Sequence, residues 1–361
     1  MKPSTVLSSL ILFTLCITSV TMRGSPIESH HFEGFPPGAR SLGLGNVGIA
    51  LPNEPFANYY NPGAACFIQN TTIAVDFAEK ERNTSRFPGI AGKTINYLSF
   101  ISYSGGFTWR PLTQVRGQST SSFFSDTYQE TLTIESHHEY RVDELFLTLT
   151  TLSSEILNTL EQNPLFGLNL KYFRAYYAEA EVIHTSSSPV DAMSNFDTGN
   201  GFGVDAGFAL VKNPFLFGLA AKDIFSKVYW SDYDSDRIDT KLGMGVSSFF
   251  FDRILLSTDY RYNTRTKISS LFAGIETNVY QLEKVLKENT GSQTERSLIT
   301  SGSQIRFGTR LDDIEKRDDI IYSLGIGYFS TRFAADLAIF ANFEDIKNKH
   351  FSTQLSLIVL Y

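Results

Sequence analysis

The sequence predicts an all-β protein, a transmembrane antiparallel β-barrel of about 14 strands with an N-terminal hatch, or plug, inside it. Three observations predict it. From about Thr71 to the end, the chain repeats segments in which apolar and polar residues alternate, the period of a strand with one face of each kind. Many of these segments run to about ten residues, which is what a tilted strand needs to cross a bilayer. Their polar faces are rich in glycine and single charges, while Tyr172, Tyr260, Tyr262, Tyr328 and Tyr361 stand near strand ends on the apolar faces, where aromatic girdles belong. A soluble sandwich also alternates, so the last two observations decide between them.

The first element is an export signal, residues 1–21. Lys2 starts it, Val6 to Val20 forms an apolar run with small hydroxyl residues, and cleavage is expected near Thr21. Bulky Leu15 before Cys16 argues against a lipoprotein. The run is short for a spanning helix, which needs roughly 20 apolar residues, and no later stretch reaches that length. A mature chain in a membrane must therefore be a closed barrel. Only Cys66 then remains, so no internal disulfide can form.

Residues 22–70 form the hatch segment, and 32–70 carry many Gly and Pro residues with little alternation. Residues 71–361 form the barrel. Strands are expected at 71–79, 95–104, 106–113, 139–152, 164–178, 200–211, 214–223, 239–250, 253–262, 268–279, 302–311, 320–329, 332–342 and 350–361. The last is the clearest: Phe351, Thr353, Leu355, Leu357, Val359 and Tyr361 share one face, and His350, Ser352, Gln354 and Ser356 the other. An even count puts both barrel ends on the periplasmic side. Tight turns at Ser104-Gly105, Lys212-Asn213, Phe251-Asp252 and Ser330-Thr331 belong to that side. Polar loops at 80–94, 114–138, 179–199, 224–238 and 312–319 belong to the other. Two periplasmic connections are longer, a short helix expected over Leu152 to Asn163 and a charged insertion, Tyr280 to Ser301, with helical character up to Glu288.

Hydrophobic residues make up 42% of the 361-residue chain, charged residues 19% and aromatics 14%, a composition that argues against disorder. The net charge of −7, with no basic face, argues against a nucleic-acid partner. Gly43-x-Gly45-x-x-Gly48 matches a dinucleotide fingerprint in form only. Pro36 and Pro37 precede it and Pro52 closes it, so the strand and helix that the motif needs are missing. Adjacent histidines, His30-His31 and His137-His138, are poor chelators because neighbouring side chains on an extended chain diverge. No carboxylate pair, nucleophile–base set or phosphate loop stands out. The expectation is no enzyme, no catalytic residue, no metal and no cofactor.

Lys171, Asp205, Lys222, Lys241, Asp259, Arg261, Glu276, Arg306, Arg310 and Asp336 point inward by parity. A structural network of paired charges is favoured over a polar route, since buried charges need partners. Phe166, Phe173, Phe272, Phe329 and Phe340 are assigned inward as well, to line an apolar ligand site or to pack on the hatch.

The run Gly38-Ala39-Arg40-Ser41-Leu42-Gly43-Leu44-Gly45-Asn46-Val47-Gly48, followed by Asn58-Tyr59-Tyr60-Asn61-Pro62-Gly63-Ala64, resembles the start of FadL-like outer-membrane proteins, especially the PorV-type branch and its spirochaetal relatives. That group carries Asn-Pro-Ala where this chain has Asn61-Pro62-Gly63. Asp143-Glu144-Leu145-Phe146-Leu147 and Gly167-Leu168-Asn169-Leu170-Lys171-Tyr172 resemble its paired strands. The resemblance implies a fourteen-stranded barrel in the cell outer membrane with a hatch motif at Gly38, Arg40, Gly43, Gly45, Asn61, Pro62 and Gly63. It implies uptake of hydrophobic small molecules, long-chain fatty acids first. A protein-binding barrel, either a secretion shuttle or a surface adhesin, is the alternative. Gly105, Gly106 and Pro111 can disturb sheet pairing and mark a lateral opening. The partners expected are outer-membrane lipids, a fatty acid-like ligand and the barrel assembly machinery, reached through the C-terminal strand.

Overall fold

The computed structural model describes residues 35–68, 70–79, 93–102, 104–125, 130–151, 163–185, 189–251, 253–287, 295–315 and 320–361. The export signal and its cleavage site lie outside the described residues, as do His30, His31 and the helix expected between Leu152 and Asn163. Sixteen strands follow in chain order. They are β1 (Thr72–Glu79), β2 (Lys93–Ser102), β3 (Gly105–Ser125), β4 (Glu130–Thr150), β5 (Leu165–His184), β6 (Pro189–Lys212), β7 (Phe215–Lys222) and β8 (Lys227–Trp230). Then come β9 (Asp236–Arg237), β10 (Lys241–Phe250), β11 (Ile254–Asn263), β12 (Ser269–Lys287), β13 (Glu295–Leu311), β14 (Ile320–Ser330), β15 (Phe333–Asn342) and β16 (Ser352–Leu360).

Fourteen of these close an antiparallel barrel; β8 and β9 form a short hairpin set beside β6. Closure is made by β1 and β16, in register from Thr72–Leu360 to Ala78–Gln354. The alternation expected from the sequence sets the facing. On β16, Leu357 is 45% exposed on the outer face and Gln354 is fully buried in the lumen. Leu242 is exposed outside, and Asp336 is buried inside. Closed pairing is the condition for backbone to sit in lipid, and it holds around the wall except above Leu98–Trp109, where β2 and β3 part. Among the described residues, no helix is long and apolar enough to cross a membrane.

Three sequence expectations need correction. Residues 114–138 and 179–199 are mostly not loops: β3 pairs with β4 as far as Ser125–Glu130, and β5 with β6 as far as His184–Pro189. Serine and threonine alternating with apolar residues suit strands as well as loops, and each strand gains a partner by continuing. The 280–301 insertion is not helical where described. β12 and β13 pair out to Lys287–Glu295, past the last residues that β11 and β14 reach. Local helix propensity loses there to cross-strand pairing. Residues 224–238 hold the β8–β9 hairpin rather than a plain loop. A further helix, Phe343–Asn348, joins β15 to β16. Asn342 caps it by accepting from the Asp345 amide at 2.7 Å, and Lys349 ends it with φ +59°.

Candidate functional site

Residues 35–68 lie inside the barrel. They contain two single-turn helices, α1 (Ala39–Gly43) and α2 (Ala57–Tyr60), and a 3₁₀ segment, Pro62–Phe67. Their backbone bonds to strands around the wall. The Ala39 amide donates to Ser356 Oγ at 2.7 Å, Gly45 to Ser323 Oγ at 3.0 Å, and Gly48 and Ile49 to Asp259 Oδ2 at 2.8 and 3.0 Å. Ser247 Oγ donates to the Ala50 carbonyl at 2.7 Å, and Asn169 Nδ2 to the Asn58 carbonyl at 2.8 Å. Irregular backbone in a barrel needs these partners, because no ladder satisfies it.

Glycines in the wall make room. A Cβ on Gly308 would strike the Gly45 amide, one on Gly207 the Asn61 amide oxygen, and one on Gly167 the Pro62 carbonyl. The glycines of the polar faces are therefore the surface on which the inner segment rests.

The hatch motif converges on this contact. Asn61 accepts from the Gly63 amide at 3.0 Å and donates to the carbonyls of Ile49 and Phe208 at 2.8 and 2.9 Å, so one side chain ties the 3₁₀ start, an inner loop and β6 together. Pro62 begins the 3₁₀ segment, where its missing N–H costs nothing. Gly63 stands where the resembling family carries Ala: an added Cβ would lie 2.8 Å from the Gly207 carbonyl carbon. Gly43 meets the backbone of Gly325. Gly38 and Gly45 take φ +96° and +75°, which only glycine adopts at little cost. Arg40 grips Glu276 with two bonds of 2.9 and 2.8 Å and donates to the Pro52 carbonyl at 2.8 Å.

Two charged clusters flank the segment. In the first, Arg306 lies 2.6 Å from both Glu276 and Asp336, Arg40 shares Glu276, and Glu54 lies 3.6 Å from Arg40. Two guanidiniums thus face three carboxylates. Glu54 is fully buried, and its Oε2 has no hydrogen-bond partner. Burial pushes its carboxyl up to about 7, against the pull of Arg40. In the second, Lys171 Nζ meets Glu144, Asp205 and Asp223 at 3.0, 2.8 and 2.8 Å, and Arg110 lies 2.6 Å from Glu144. Lys222 Nζ sits 3.3 Å from the centre of the Tyr59 ring, and the Arg110 guanidinium 4.7 Å from it. Burial alone would raise the Tyr59 phenol, but Lys222, Arg110 and Lys241 override it and pull the phenol down to about 7. Paired charge networks, the favoured sequence expectation, account for Lys171, Asp205, Asp259, Arg261, Glu276, Arg306 and Asp336.

Above the inner segment lies a lumen cavity of about 710 Å³ with Tyr59, Tyr60, Arg110, Lys222 and Lys241 at its base. Of the five phenylalanines, Phe272 lines it. Phe173 is buried with Tyr140 and Trp230 beside it, while Phe340 packs on Leu42 of α1 and Phe329 lies over Gly302. They do not meet in one site. Phe166 faces outward against Phe208, a correction to its inward assignment. β5 runs without a bulge from Phe166 to Phe173, so residues of opposite parity cannot share a face, and Gly167 is the one held inward by Pro62.

Gly105 and Gly106 also depart from expectation. They sit at the tight turn below β3 and are paired on both sides, to β2 and β4. The break in pairing begins above them. β2 and β3 share five residue pairs, ending at Leu98–Trp109, although β2 stays paired to β1 as far as Lys93. Pro111 lies in the part of β3 that is paired with β4, opposite Asp143, but not with β2, beside a bulge toward Thr113. Tyr59, Arg110, Glu144 and Glu54 were not singled out in the sequence as site residues. Tyr59 stood inside the quoted motif and Glu144 inside a quoted strand, but their pairing is non-local and leaves no spacing signal.

A family model described as "F plasmid transfer operon, TraF, protein" matches residues 147–283, under half of the chain. It differs from the FadL-like group that the N-terminal motif resembles. No curated protein matches. Among solved structures, a FadL homologue of Pseudomonas aeruginosa has a TM-score of 0.46 at 12% identity, over 91% of this chain and 99% of that one. The toluene transporter TodX of Pseudomonas putida has a TM-score of 0.49 at 12% identity, over 91% and 97%. The toluene transporter TbuX of Ralstonia pickettii has 0.47 at 11%, over 91% and 98%. The barrel fold rests on the strand pairing described above.

Proposed function

We propose that the protein is an outer-membrane channel for hydrophobic small molecules, with long-chain fatty acids as the first candidates, and that residues 35–68 are its plug. The observation that carries the substrate class is the base of the lumen cavity. There Lys222 and Arg110 lie against an aromatic ring of the plug, and the carboxylates that face them, Glu144, Asp205 and Asp223, are all held by Lys171 as well. An acid head group fits beside them, and an apolar tail fits against Leu112, Ile238 and Phe272, which line the same cavity. The stretch of β3 from Arg110 upward, paired to β4 but not to β2, starts at this base and supports a sideways exit between β2 and β3 into the membrane.

The test is uptake of a labelled long-chain fatty acid and of its methyl ester by cells carrying the barrel. The acid should be favoured, and Lys222→Gln should weaken its uptake by about tenfold, the worth of one charge-assisted contact. Equal uptake of acid and ester, unchanged in the variant, would remove the acid reading. No uptake of either would remove the channel. Deleting residues 32–60 should raise leakage of small solutes while the barrel still assembles.

The extension of β3 to β6 beyond the neighbouring strands favours a second reading, a protein-binding barrel that uses this sheet outside the membrane. A soluble partner held there, with no uptake of either lipid probe, would support it.

A further inference from the structure

The outer face of the barrel carries a second feature, across the wall from the lumen cavity. Ala206, Ala221, Leu242 and Tyr262 are successive cross-strand partners on β6, β7, β10 and β11. With Phe208 and Leu219 they line an apolar groove of about 600 Å³. Its floor is low because two alanines stand where neighbouring rows carry Leu and Phe. The groove stops where the wall itself changes. β7 ends at Lys222, the chain turns at Asp223 with φ +55°, and the sheet resumes as β8, which pairs with β6 at Gly199–Phe202.

Four cations lie around that break, three of them on the outer side. Lys227 and Arg237 are direct partners across the β8–β9 hairpin and project outward, since Val228, Trp230 and Ile238 take the buried face. Lys267 lies over the Tyr262 ring at 6.0 Å. Arg265 reaches Asp239 at 3.4 Å, which binds the β11–β12 turn to the residues after β9. Among the described residues, Lys227, Arg237 and Lys267 have no carboxylate partner. Of the acidic residues nearby, Asp239, Asp312 and Asp313 line the lumen cavity, Asp236 is buried against Trp230, and Asp232 and Asp234 stand in the turn between β8 and β9. The exposed rings of Phe202 and Tyr229 complete an interfacial belt beside the cations.

We propose that this groove and its cationic rim hold an anionic phospholipid of the outward-facing leaflet, with acyl chains lying on Ala206 and Ala221 and the phosphate between Lys227, Arg237 and Lys267. Charge complementarity selects the occupant. An uncharged lipid would fill the groove but leave three unpaired cations at the rim, and a free phosphate would leave the groove empty. Each cation near a membrane surface strengthens binding of an anionic lipid by about fivefold.

The test uses the full chain reconstituted in nanodiscs that hold equal amounts of phosphatidylglycerol and phosphatidylcholine, then released into detergent. Retained lipid is read by native mass spectrometry. The wild-type protein should retain phosphatidylglycerol over phosphatidylcholine by at least about tenfold. The triple variant K227Q/R237Q/K267Q should bring the ratio near parity, while R253Q/R332Q, at the opposite rim, should leave it high. A221W should fill the groove and reduce retention of phosphatidylglycerol with the rim intact. Heat-modifiable migration checks that each variant is a closed barrel. Parity in the wild type, or an unchanged ratio in the triple variant, overturns the proposal. So does displacement of the lipid by excess inorganic phosphate, which would make the site one for free phosphate. None of these outcomes involves the lumen, so they bear on the lipid site and not on transport.

Discussion

Glu54→Gln should remove a pH dependence from the plug. In the docked plug, the Glu54 carboxyl is fully buried, Oε2 is unbonded, and the carboxyl's pKa rises from 4.5 to about 7. Released into water it would return to the ordinary value. A carboxylate with a raised pKa binds its proton more tightly in the docked state. Docking therefore has full strength below about pH 4.5, weakens as pH rises, and reaches its minimum above about pH 7. A shift of about 2.5 units corresponds to about 3 kcal/mol. The groups that face Glu54 are Arg40 on the plug, Asp336 on β15 and Arg306 on β13. Arg40 opposes the rise and Asp336 adds to it. Gln keeps the acceptor for the Phe56 amide, 3.3 Å from Oε1, and carries no charge at any pH. Hydrogen exchange of the 39–67 backbone, corrected for intrinsic rates, should show wild-type protection falling by up to about 3 kcal/mol between about pH 4.5 and about pH 7. The variant should be flat and better protected at the alkaline end. Parallel slopes in the two proteins would refute the buried-carboxylate reasoning.

Asn61→Ala should loosen the plug by about 2–4 kcal/mol, because it strips partners from the Ile49 and Phe208 carbonyls and the Gly63 amide together. Higher basal conductance from a still heat-modifiable barrel is the readout. Leu357→Arg, on the lipid face, should cost assembly about 2–4 kcal/mol, whereas Gln354→Ala should insert normally and disturb only the contacts with Asp76 and Pro36. Equal insertion defects would mean the register is wrong. Epitope tags inserted between Ser125 and Glu130 should be reached by antibody on intact cells, and tags at Lys212-Asn213 should not; the reverse pattern would invert the topology.

The barrel was legible because one rule governs each strand. Leu357 and Gln354 report their own faces through period-two alternation, which a closed sheet keeps except at bulges such as the one that buries both Asn96 and Tyr97 on β2. The position of the plug's backbone was legible only indirectly, as glycines at inward positions such as Gly207, Gly274 and Gly308. What they accommodate became visible only with Asn61, Leu44 and Gly45 set against them. Where two solutions share one composition, the sequence could not choose. The 114–138 stretch suits a polar loop or a paired ribbon, and pairing with a neighbour decides. Phe166 failed for a simpler reason: parity has to be counted from an anchored residue, and the anchor, Gly167 under Pro62, is a tertiary contact. Tyr59 and Lys222 are 163 positions apart, so no motif could join them.

The way the plug is held bears on whether it can move. An apolar plug packed on an apolar wall would leave only at the cost of exposing that area to water. Here the contact mixes apolar packing, such as Leu42 on Phe340 and Leu44, Val47 and Leu51 on Leu255 and Phe272, with serine and asparagine hydrogen bonds, glycine backbone and ion pairs such as Arg40–Glu276. Buried ion pairs contribute little net stability, because the water they gave up repays much of their separation. The apolar packing then holds the plug in place, and changes in charge adjust how firmly it is held. The two clusters differ: the first has an excess of carboxylates, and the second sets Lys171, Lys222 and Arg110 against Glu144, Asp205 and Asp223. One holds three carboxylates against two guanidiniums, and the other turns Lys222 and Arg110 toward an aromatic ring. A proton on Glu54 relieves the first and tightens the plug. An acid bound at Lys222 acts on the second by drawing the cation off Tyr59, and so removes one of the contacts that fasten α2 to the wall. On the proposed function, protons on Glu54 and acidic ligands therefore act on the same plug with opposite sign. Uptake of a fatty acid should rise between about pH 4.5 and about pH 7, and stop rising above it, where the Tyr59 phenol ionises beside Lys222 and tightens the plug, with Glu54→Gln lowering the rate near pH 7.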